Sequence, residues 1–202
     1  MKQTKLTRGL LVLNAIQNSI ETKEKILKDG KMMSMILSVV EEIVKAFKHD
    51  KKMLLCGNGG SAADAQHIAG ELSVKFYFKR RPLSAEALNT NISHITATAN
   101  DLSYDEVFSR LVEAQGRKGD ILVAISTSGN SPNIIKAIKV AKKQKMIIVG
   151  LTGEDGGKMN GICDYLIKVP SSDTPRIQES HILIGHIICE LVEKEMFGDK
   201  NK

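Results

Sequence analysis

Five short apolar runs, at residues 53–56, 83–88, 121–125, 146–151 and 165–169, alternate with stretches of helical spacing at 61–75, 105–115, 133–144 and 176–197. Runs this short and this rich in Ile, Val and Leu suit buried strands, and the segments between them are long enough for helical crossovers. The alternation predicts an α/β fold. It is a three-layer αβα sandwich, with helices on both faces of a mostly parallel five-stranded sheet. Pro132 and Pro170 fall where strand-to-helix turns or strand ends are expected.

Before the first run, residues 4–28 repeat Leu10, Leu11, Leu13, Ile16 and Ile20 at helical spacing, and Asp29-Gly30 reads as a break. A second helix is predicted from about Met32 to Phe47, with Met33, Ile36, Val39, Val40, Ile43 and Val44 inward. Two helices ahead of any strand can cover the sheet or pair with a second subunit. Their many large apolar side chains favour an oligomer. The chain is read as one domain, 1–202, with N-terminal helices at 1–50 and an α/β core at 51–198.

The net charge of +6 raises the question of nucleic acid. The lysines form no dense run, however, and aromatics that could stack on bases make up only 4% of the chain, so a solvated basic surface is the reading. Cys56, Cys163 and Cys189 form no CxxC pair, which fits a reducing, cytoplasmic setting. The apolar stretch from Leu10 to Ile16 is broken by Asn14, and neither a signal peptide nor a membrane span is expected.

The chemistry concentrates in three places. Cys56 to Glu71, CGNGGSAADAQHIAGE, passes from a strand through Asn58, Gly59, Gly60 and Ser61 into a helix. Glycines there let backbone N–H groups approach a ligand, Ser61 can cap the helix, and a helix N-terminus suits an anion or a polyol. His67 and Glu71, four apart, share a face.

The second place is Ser126-Thr127-Ser128-Gly129-Asn130-Ser131-Pro132, after the strand ending at Ile125, with Ser131 as N-cap and Pro132 at the first helical position. Hydroxyls beside a helix N-terminus, at the carboxyl end of a strand, suit a phosphate monoester. The plainer reading is a capped turn with spare serines. No Walker-type Gly-Lys-Ser/Thr occurs, which disfavours nucleotide hydrolysis.

The third place opens the last helix, where Gln178 and His186 face broadly the same way. His67, Glu71, Gln178 and His186 form a plausible N/O set for a divalent metal such as zinc, although Gln178 and His186 are separated by about 12 Å of helix rise. Glu71 as base and His186 as acid, on opposite sides of a sugar, would suit an aldose–ketose isomerisation through an enediol. Asn100-Asp101 has two readings, a cap for a helix from Ser103 or a contact to sugar hydroxyls. Lys79-Arg80-Arg81 is read as a solvated charge run, or else as an arm toward a phosphate.

CGNGGSAADAQHIAGEL, TATAND, STSGNSPN, LTG and RIQESH with His186 together resemble the bacterial phosphoheptose isomerases of the sugar isomerase (SIS) domain group, over nearly the whole chain and in the same order. The resemblance implies a flavodoxin-like SIS fold and a homotetramer that converts D-sedoheptulose 7-phosphate to D-glycero-D-manno-heptose 7-phosphate. It implies Glu71 and His186 as the acid/base pair, and one zinc per subunit on His67, Glu71, Gln178 and His186. It also implies substrate contacts from Asn58, Gly59, Gly60, Ser61, Glu71, Asn100, Asp101, Ser126, Thr127, Ser128, Ser131 and Gln178. The product would supply heptose for lipopolysaccharide or capsule. Pro175 departs from the family pattern, where Ala or Asp stands. The rival is a non-enzymatic SIS-domain adaptor that binds the replication initiator, which would have no physical need for the four donors.

Overall fold

The computed structural model describes residues 2–198, with side chains from Thr7 onward; the basic tail Lys200 to Lys202 lies outside the described residues. Two helices come first, α1 (Lys2–Lys28) and α2 (Gly30–Lys48). The Asp29 side chain caps α2 by accepting from the N–H groups of Lys31 and Met32. The inner face of α2 carries Met32, Ile36, Val39, Val40, Ile43 and Val44. The expected Met33 is only partly buried, because Met32, four residues before Ile36 on the same face, takes the inward position.

The core then alternates as expected: β1 (Met53–Gly57), α3 (Gly60–Ser73), β2 (Ala85–Ala87), α4 (Ile92–Asp101), α5 (Val107–Gln115), β3 (Ile121–Ile125), α6 (Pro132–Lys143), β4 (Ile147–Thr152), β5 (Tyr165–Lys168) and α7 (Thr174–Phe197). All strand pairs are parallel, in the order β2-β1-β3-β4-β5. Alternate strand residues separate two cores, as a sheet covered on both faces requires. Met53, Leu55, Val123 and Val149 pack with α2, α3 and α7, while Leu54, Leu122, Ala124 and Ile148 pack with α5 and α6.

Helix α4 is the one element the sequence pattern does not predict. Its Thr96-Ala97-Thr98-Ala99 run has no apolar period, yet the Asn91 side chain caps it by accepting from His94 N–H. Asn100 and Asp101 close this helix, and Leu102 is its C-cap; Ser103 caps a short 3-10 turn instead. The cap reading of Asn100-Asp101 is therefore wrong.

Helix α1 packs on α7 through its later turns. Ser19 Oγ donates to Glu179, and Arg176 donates to the Ala15 carbonyl. Its earlier face, with Leu10, Leu11, Leu13 and Ile16, is more than half exposed.

Candidate active site

Parallel strands bring all their carboxyl ends to one rim, and the reversal of strand order between β1 and β3 opens a crevice there. The glycine and serine loops emerge at it, and so does the loop after β5 that leads into α7. After β1, Gly59 adopts φ +56°, a left-handed turn that glycine makes without strain, and it caps α3. Ser61 is not the cap; it is buried in the first turn. The Asn58 carboxamide pairs with Asn133 in both directions at 2.9 Å, and Tyr104 Oη donates to its oxygen at 3.0 Å. Asn58 thus braces β1 to α6, a role invisible in the sequence because Asn133 and Tyr104 are distant in the chain.

After β3, Ser131 occupies the N-cap of α6 and Pro132 its first turn, as expected. The Ser131 hydroxyl does not cap, however; it pairs with Ser126 Oγ at 3.1 Å. Thr127, Ser128 and Asn130 line a cavity of about 250 Å³ with Ser171, Ser172 and Thr174 from the loop before α7. Glu154 and Asp155 also line it, so its polar lining is mixed in charge. Asn100 and Asp101 lie exposed at the end of α4, the Asn100 amide donating to Asp101 at 2.7 Å.

Helices α3 and α7 lie side by side and run in the same direction. A Cβ on Gly60 would stand 2.5 Å from Gln178 Nε2, and further along one on Gly185 would stand 2.6 Å from Ile68 Cδ1. Glycine at 185 lets the helices touch, and at that level their polar side chains meet. His67 Nε2 lies 2.9 Å from His186 Nε2 and 3.2 Å from Glu71 Oε1. The donor atoms of His67, Glu71 and His186 all lie within 4.8 Å of one another. Glu71 and His186 therefore project from adjacent helices into one small volume. The contact seen for Gln178 is with Gly60, nearer the cradle.

The donor set fits a metal. Two imidazole nitrogens facing each other at 2.9 Å have room for one proton between them or for a cation, not for two N–H groups. A tetrahedral zinc with ordinary ligand distances places its donors roughly 3.3 Å apart, close to the spacing here.

Sequence reasoning missed two groups. Arg80, read as part of a solvated run or a phosphate arm, is neither: its side chain is buried in an ion pair with Glu193. His181 is buried on α7 with Nε2 donating to the Thr152 carbonyl at 3.1 Å. Both depend on partners far away in the chain.

The SIS domain family profile matches residues 16–153. A phosphoheptose isomerase of Clostridium acetobutylicum is 55% identical over 185 residues, covering 92% of this chain and 94% of that protein. Phosphoheptose isomerase 2 of Campylobacter jejuni is 56% identical over 181 residues, covering 90% of each. The structure of a phosphoheptose isomerase from Neisseria gonorrhoeae superposes with a TM-score of 0.87 at 42% identity, covering 92% of this chain and 98% of that one.

Proposed function

The chain belongs to the SIS domain family and, within it, to the phosphoheptose isomerases, and from that premise we propose that it converts D-sedoheptulose 7-phosphate to D-glycero-D-manno-heptose 7-phosphate. The observation that carries this reading is the meeting of Glu71, His67 and His186 on two touching helices, α3 and α7, that start from the rim where the glycine and hydroxyl loops emerge. The Glu71 carboxylate takes the proton from the carbon next to the ketone while His186 donates to the carbonyl oxygen. The resulting enediol becomes the aldose when Glu71 returns that proton to the former carbonyl carbon and His186 takes the proton from the hydroxyl on the carbon first deprotonated, which restores both groups. The positive end of the α3 dipole and the hydroxyls of Thr127 and Ser128 hold the sugar phosphate.

His67, Glu71 and His186 would hold zinc, with Gln178 as the fourth ligand that the resemblance implies. When bound, zinc polarises the carbonyl and hydroxyl oxygens and stabilises the charge that develops on them. The exposed apolar face of α1 supports a homotetramer. Three free cysteines suit a cytoplasmic enzyme, and among the described residues no helix is long and apolar enough to cross a membrane. A non-enzymatic adaptor is not favoured, since the matched relatives are isomerases and the donor set is assembled.

The test is turnover of sedoheptulose 7-phosphate by the purified protein, with metal content measured before and after chelation. No aldose product from the metal-loaded protein would refute the reaction. Full activity in a metal-free preparation would remove zinc from it.

A further inference from the structure

Below the triad, the α3–α7 pair closes on a buried ion pair that the isomerisation does not use. The Arg80 and Glu193 side chains are each 1% exposed, and Arg80 Nε donates to Glu193 Oε1 at 2.6 Å. The remaining donors of Arg80 reach the end of α3 and the Arg81 carbonyl, and the remaining acceptor capacity of Glu193 is taken by the segment that follows α3. Arg80 Nη2 donates to the carbonyl of Glu71 and Nη1 to that of Leu72, both at 2.9 Å. The guanidinium thereby caps the last turn of the helix carrying His67 and Glu71, where helix carbonyls lack partners and attract a cation.

Glu193 lies on α7, two turns beyond His186. It accepts the backbone N–H groups of Phe76, Tyr77 and Phe78 at 2.8, 2.5 and 2.9 Å. Those bonds hold the segment leaving α3, and they set the Phe76 ring against the His186 imidazole, with centroids 5.8 Å apart. Burial pushes the Glu193 carboxyl up, but these N–H donors and Arg80 outweigh it and hold it below its ordinary range.

We propose that the Arg80–Glu193 pair is a positioning device for the isomerase site: Arg80 fixes the end of α3 through the Glu71 carbonyl, and Glu193 fixes Phe76 against His186. Neither side chain meets substrate. Each acts through one neighbour on one half of the acid/base pair, so the pair sets the gap between them. A buried ion pair of this kind is poor evidence of stability for its own sake, because well-packed apolar residues often replace one without loss. Here the forked guanidinium and the three-fold acceptor do what an apolar pair cannot. Reacting groups must be held closely, and a displacement of about 1 Å can cost on the order of 100-fold in rate.

The inference rests on the isomerase reading, so the experiment separates the two. Arg80→Lys keeps a cation beside Glu193, but one ammonium cannot span Glu193 and both carbonyls. Glu193→Gln keeps the volume and weakens the acceptor for the three N–H groups. For each variant, kcat and KM with sedoheptulose 7-phosphate are measured, together with the melting temperature and the imidazole ¹⁵N resonances of His67 and His186. The expected result is a kcat lower by roughly 10- to 100-fold with KM within about two-fold, and displaced imidazole resonances.

A folded variant with wild-type kcat and unmoved resonances would overturn the proposal. If neither single variant folds, Arg80→Met combined with Glu193→Gln removes both charges at similar volume and is judged by the same criteria. If the wild-type protein fails to isomerise the sugar, the functional reading falls and the resonances alone decide the positioning role.

Discussion

The two ends of the α3–α7 pair hold similar chemical groups under opposite conditions. At the upper level His67, Glu71 and His186 meet with partial exposure and with valences to spare. At the lower level Arg80 and Glu193 are sealed, and their hydrogen bonds are committed to backbone. Charge that solvent reaches can bind and react. Charge shut between helices can only hold them. The same pair of helices therefore serves as a site at one end and as a fastening at the other.

The largest effect should come from the open end. Glu71→Gln and His186→Gln are expected to lower kcat by on the order of 10³-fold, with the melting temperature within a few degrees of wild type. A large fall in melting temperature with near-normal turnover would reverse the contrast between the two ends. At the closed end, Arg80→Met leaves Glu193 buried beside a missing partner, and stability should fall by about 3–5 kcal/mol in denaturant unfolding. A loss under about 1 kcal/mol would show that the pair is not sealed in solution.

A third prediction concerns His181, which lies on α7 ahead of both levels, five residues before His186. Burial pushes its imidazole down to about 4 from an ordinary 6.5, against the hydrogen bond to the Thr152 carbonyl, which pulls the other way. A depressed value means that the unfolded chain takes up the proton first. The stability it contributes is complete above pH 6.5 and is lost as pH falls toward 4, by roughly 3 kcal/mol across that window. Unfolding measured at pH 7, 5.5 and 4 should show this, and His181→Gln should flatten the slope.

The smallest effect is chemical. Burial pushes the thiols of Cys56 and Cys189 up to about 12, so neither should react with a thiol reagent until the protein unfolds.

Much of this architecture was legible from local pattern. The five apolar runs are the five strands, and the glycine and serine loops do stand at their carboxyl ends. His67 and Glu71 were legible as a pair because helical spacing alone brings them together. His186 joins them only because Gly185 admits Ile68, a contact between positions 117 residues apart that no local pattern encodes. Arg80 was misread for the same reason: a basic triplet looks solvated until Glu193, on another helix, is placed against it. Helix α4 escaped because its threonines and alanines carry no apolar period, and its evidence is the Asn91 cap. Residue type alone suggests Ser61 and Ser131 as caps, whereas Gly59 holds the cap of α3, and Ser131 holds the N-cap position of α6 with its hydroxyl paired to Ser126 and not to the backbone.

Because α3 and α7 advance together in one direction, each behaves as a ruler laid against the other. Inserting or deleting a single residue between His186 and Glu193 would swing everything beyond it through about 100°, taking the carboxylate away from Phe76 while the imidazole stayed in place. The length of this helical segment is therefore under tighter restraint than its composition. Changes in chain length among descendants of this protein should collect in the connecting loops and spare these two turns.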